Sequence, residues 1–148
     1  MKSILQTIFF AVLTIVSTFA DASDVRAKLS LAMELKEGET TIGKPRIIVV
    51  SGEQGNIAVG ANPAATATEP GQQYEYRIAV LPELEATGEL LTAYDVTVIT
   101  PASDSGTSNI RTVKVKIKQM PGEAITIKIP GGDGQQPVNL KVKTDIVS

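Results

Sequence analysis

The 148-residue chain contains no cysteine, no histidine and no tryptophan. Without cysteine there are no disulfides, no thiolate metal ligands and no thiol nucleophile. Without histidine the commonest general base and the commonest transition-metal ligand are missing, so neither a Ser-His-Asp nor a Cys-His arrangement can be built. Aromatic residues make up only 4% of the chain, with three tyrosines, which leaves little to stack on a sugar substrate. The formal net charge of −2 exerts no overall pull toward nucleic acid or a membrane surface. This inventory predicts no cofactor and no metal.

What is present begins with an address. Met1-Lys2-Ser3 leads into an apolar run from Ile4 to Ala20, with small residues at Ala20 and Ala22. A single lysine, an apolar middle and a small-x-small end read as a secretory signal peptide over residues 1–22, cleaved after Ala22 or Ala20. The run lies near the lower length limit for a spanning helix and is broken by Gln6, Thr7, Thr14, Ser17 and Thr18. The remaining stretch of about 126 residues is long enough for one domain with its own core. The expected location is the bacterial periplasm or the outside of the cell, with no membrane span left after cleavage.

Beyond the leader the dominant period is two. Val25, Ala27, Leu29, Leu31, Met33 and Leu35 alternate with mostly polar residues, which predicts a strand with one buried face. Ile47–Val50 and Ile57–Val59 flank a turn with Gly52 and Gly55, and Pro45 and Gly60 bound the whole. That pattern predicts a β-hairpin over residues 44–60. Further strands are predicted over residues 74–81 and 91–100. The last third reads as a three-strand meander built on Val113, Val115 and Ile117, on Ile125, Ile127 and Ile129, and on Val138, Leu140 and Val142. Residues 61–73 and 101–109 read as loops. No stretch has a helical period, so the prediction is an all-β fold: one antiparallel β-sandwich-like domain of about eight short strands, covering residues 23–148.

Three groupings invite a chemical reading. Glu83, Glu85, Glu89 and Asp95 could supply the two carboxylates of a glycosidase, yet such residues around a turn are ordinary solvated decoration. Asp104-Ser105-Gly106 holds calcium-type ligands without the alternating run of an EF-hand loop. Gly131-Gly132-Asp133-Gly134 is glycine-rich but lacks the Lys-Ser/Thr of a phosphate loop. All three read as turns, and no enzyme is expected.

Charge is unevenly spread. Between Glu69 and Asp104 the only base among seven acids is Arg77, whereas from Arg111 onward bases dominate. Alternation along the predicted meander places Lys114, Lys116, Lys118, Lys128, Lys141 and Lys143 on one outer face. Like charges crowded on a sheet face repel mildly. The face is therefore the candidate interaction surface, for a protein partner, for the acidic region of a neighbouring copy, or for an anionic envelope polymer such as a glycan or lipid headgroup. Lysine also solubilises a surface and blunts edge pairing without any partner.

Three ordered segments carry a resemblance. Pro45–Gly60 (Pro-Arg-Ile-Ile-Val-Val-Ser-Gly-Glu-Gln-Gly-Asn-Ile-Ala-Val-Gly), Tyr76–Pro82 (Tyr-Arg-Ile-Ala-Val-Leu-Pro), and Arg111–Val115 with Pro121–Ile127 and Gly131-Gly132 follow in that sequence. Together they resemble bacterial secretins, the outer-membrane pore subunits of type II and type III secretion and pilus systems. The chain is far shorter than a secretin, so the resemblance implies a reduced, soluble secretin-like β-domain. It also implies a place in secretion or surface assembly through protein–protein contact.

Overall fold

Strict alternation of Leu29, Leu31, Met33 and Leu35 with shorter or charged neighbours makes β1 (Lys28–Glu37) a strand with one fully buried face. It is the central strand of the first of two antiparallel sheets in the computed structural model, which describes residues 26–60, 74–100, 108–132 and 134–148. On one side β1 pairs along its whole length with β9 (Val138–Val147), which in turn pairs with β8 (Ala124–Ile129). On its other side β1 carries two short strands end to end, β2 (Thr40–Gly43) and β3 (Arg46–Val50). Lys44-Pro45 separates them because proline cannot donate to a ladder. The interruption is shallow, since the Met33 amide still donates to the Pro45 carbonyl at 2.9 Å.

The second sheet is a sequential ladder of β4 (Gly55–Val59), β5 (Glu75–Leu84), β6 (Leu90–Thr100) and β7 (Asn109–Gln119). Tyr76, Ile78 and Val80 of β5 and Leu90, Tyr94, Val96 and Val98 of β6 turn inward. They meet the inward rows of β1, β8 and β9 in one contiguous core. Each fully buried leucine or isoleucine in this layer contributes about 1.5–3 kcal/mol.

The fold is thus the predicted all-β, sandwich-like one, with nine strands among the described residues where about eight were predicted; β2, over residues 40–43, is the addition. Two local expectations fail. The predicted hairpin over residues 44–60 is not a hairpin: β3 belongs to the first sheet and β4 to the second. Residues 51–54 form an arch between the sheets, pinned to both. The Ser51 amide donates to Ala27 O at 2.8 Å and the Gly52 amide to Pro82 O at 2.7 Å. The Leu84 amide donates to Ser51 Oγ at 2.8 Å.

The predicted three-strand meander is also divided. β7 stays in the second sheet, and the chain crosses through residues 120–123 to begin β8 in the first. Residues 1–25, 61–73, 101–107 and 133 lie outside the described residues, and with them the expected signal peptide, Val25, Glu69, Asp104 and Asp133. Among the described residues no helix is long and apolar enough to cross a membrane.

Candidate interaction surface

The crossing at residues 120–123 decides where the six candidate lysines go. Lys114, Lys116 and Lys118 lie on the outer face of the second sheet; Lys128, Lys141 and Lys143 lie on the outer face of the first. Two faces of a sandwich point in opposite directions, so the single lysine-rich face expected from alternation does not exist. Alternation gave each residue's phase correctly and could not give the sheet.

The acidic and basic segments find each other inside one molecule. β6 and β7 are antiparallel neighbours, with Asp95 opposite Lys114 and Leu91 opposite Lys118. Lys114 Nζ lies 3.1 Å from Asp95 Oδ2. Lys118 Nζ sits between Glu85 Oε2 at 3.0 Å and Glu89 Oε2 at 2.9 Å. The Glu89–Lys118 contact holds the Glu89 carboxyl below its ordinary value and lifts the Lys118 ammonium. A glycosidase's general acid needs the opposite shift, a raised carboxyl. In the first sheet Lys143 Nζ is 3.6 Å from Asp145 Oδ1. Lys116, Lys128 and Lys141 make no ion pair among the described residues. The molecule therefore presents an anionic glycan or lipid headgroup with three of these lysines on each sheet face, not six on one. The exposed Glu85–Lys118–Glu89 group should matter little to stability: Lys118→Ser is expected to leave the urea unfolding midpoint essentially unchanged.

Between the flanking cations the second sheet is not fully polar. Ala79 and Ala93 are short, and Leu81, Gln54, Lys114 and Lys116 rise around them, leaving an open depression of about 440 Å³. Register explains it: one cross-strand row reads Leu81, Ala93, Lys116 and the next Ala79, Asp95, Lys114. Lys116 lies on β7, the last strand of this sheet among the described residues. β7 is eleven residues long and pairs with β6 without a register break. Among the described residues no strand pairs with its other side. The other edges are shorter: five residues in β4, six in β8, and the divided β2 and β3.

One grouping escaped the sequence reading. Arg111 shares its phase with Val113, Val115 and Ile117, so its guanidinium turns inward and is almost wholly buried. Its Nη2 donates to Glu37 Oε1 at 3.0 Å and to Gln135 Oε1 at 2.9 Å, and its Nη1 to Gln136 O at 2.7 Å. Asn109 Nδ2 donates to the same Gln135 oxygen. The cluster ties β7 of one sheet to the end of β1 in the other and anchors the segment between β8 and β9. A charge in phase with an apolar row was the available signal.

All three tyrosines carry hydroxyls that are harder to ionise than usual. Burial raises Tyr74, and the neighbouring Glu37 charge adds to it while Arg111 opposes. Burial alone raises Tyr76. Tyr94 is raised by burial against the opposing Thr92 and Thr144 hydroxyls. Neutral tyrosine is favoured in the fold, so this contribution is full below the ordinary value of 10.0 and is lost as pH rises through the folded values. Ultraviolet titration of the native chain should show all three ionising above the free-tyrosine range, with denaturant midpoints falling over the same interval. Ionisation of any one at the ordinary value would contradict its burial.

Among the described residues no group of three or more acidic side chains could hold a metal ion. No protein-family model matches the chain, and no curated protein matches it significantly.

Proposed function

We propose that this chain is a non-enzymatic β-domain of the bacterial envelope that acts through contact with another protein, as an accessory of secretion or surface assembly. The observation that carries the reading is the β7 edge: eleven residues of regular strand, paired on one side among the described residues. An open edge of that length is a surface to which a partner adds main-chain hydrogen bonds. The leader over residues 1–22 supports delivery to the periplasm or beyond.

Kinship with a reduced secretin core is part of the same proposal. Its three segments fall on β3, the arch and β4, then on β5, then on β7 and β8. They therefore run through both sheets. The test is expression of the full chain in a bacterial host, followed by fractionation and short-range cross-linking. The expected result is a processed chain in the envelope fraction, joined to a defined envelope protein or to a second copy. An unprocessed cytoplasmic chain, or a processed one that stays uncross-linked, would contradict the proposal.

A further inference from the structure

We infer that the open edge of β7 takes up an extended peptide strand bearing an acidic side chain opposite Lys116; this rests on the contact reading above. Residues opposite one another in neighbouring strands share a face. An added strand therefore sets its outward side chains against Thr112, Lys114, Lys116 and Lys118, and its inward ones beside the half-buried Val113, Val115 and Ile117. Lys114 and Lys118 already hold carboxylates on the β6 side. Lys116, the middle of the three outward lysines, faces Ala93 and holds none among the described residues. An aspartate or glutamate at the matching position of the incoming strand completes the row.

The same lysines say what the edge rejects. A second copy pairing β7 against β7 antiparallel in the register centred on Lys116 would bring the three outward lysines against three outward lysines, an unfavourable arrangement. β7 has neither proline nor bulge to refuse a partner strand, so charge alone selects. Lysine on this edge acts as a filter that turns away the same edge of a further copy and admits an acidic strand.

The test uses the full processed chain and two synthetic peptides, blocked Thr-Val-Glu-Val-Glu-Val-Thr and its lysine counterpart Thr-Val-Lys-Val-Lys-Val-Thr. Amide hydrogen exchange and NMR shift mapping follow the addition of each. The glutamate peptide should slow exchange along residues 111–118 and bind at least tenfold more tightly than the lysine peptide. Lys116→Glu should reverse that order without altering the fold. A third peptide, N-methylated at alternate amides, should bind poorly, because strand addition needs the main chain.

Equal binding of the two charged peptides, or protection confined to β3, β4 or β8, would overturn the inference. So would no binding at all. If the chain still cross-links in the envelope while β7 ignores the glutamate peptide, this inference falls and the contact reading stands. If neither is seen, both fall.

Discussion

Replacing Arg111 with methionine should lower the unfolding free energy by about 3 kcal/mol in urea titration. Methionine keeps the apolar stem's volume and removes three charge-assisted hydrogen bonds, to Glu37, Gln135 and the Gln136 carbonyl. The larger part of the loss is what remains behind, a Glu37 carboxylate without its counter-ion at the junction of two sheets. The figure sits at the lower end of the range for broken buried pairs because the Glu37 side chain keeps 19% of its exposure. A double replacement, Arg111→Met with Glu37→Leu, should recover more than half of the loss, since an apolar pair of similar size often equals a buried ion pair. A single-variant loss below about 1 kcal/mol would mean that the pair behaves as a surface one.

Gly55→Ala should destabilise by about 1–3 kcal/mol, as overpacking does in a filled core. A Cβ at this position would collide with Val49 Cγ1 and stand 2.8 Å from Ile47 Cδ1. Those side chains reach Gly55 across the sandwich, because β3 and β4 face one another from opposite sheets. Gly60→Ala is the control: nothing lies within 4 Å of its added Cβ, and its effect should be within about 0.5 kcal/mol. Shortening the opposing side chain with Val49→Ala should make Gly55→Ala less harmful than it is alone, a coupling that a double-mutant cycle reads directly. Additive losses would contradict the face-to-face packing.

Alternation made the inward rows legible. Leu29 to Leu35, Ile78 and Val80, Val113 to Ile117, Ile127 and Ile129, and Val138 to Val142 all point where their phase says. Strand partners were not legible, because a short link can close a hairpin or cross to the facing sheet with much the same residues. Here Gly55 permits the crossing by having no side chain where Val49 packs, and a glycine after a turn reads equally well as part of a hairpin. The same ambiguity at residues 120–123 merged two lysine groups into one expected face. The charge asymmetry is met in part inside the molecule, where Asp95 of β6 and Glu85 and Glu89 just before it pair with Lys114 and Lys118 of β7. Arg111 was legible in principle, as the one charge in phase with an apolar row on β7.

The crossing at residues 120–123 leaves β7 with no second partner strand among the described residues, and Lys116 as the middle of its three outward lysines. Cross-strand backbone NOEs in an isotopically labelled sample of residues 23–148 test this most directly. The account predicts a ladder joining residues 28–32 to 46–50, another joining residues 55–59 to 76–80, and a third joining residues 109–119 to 90–100. A ladder joining residues 47–50 to 55–59, or residues 113–118 to 124–129, would contradict it. Either one would restore the hairpin or the meander, and the second would close the edge on which the functional reading depends.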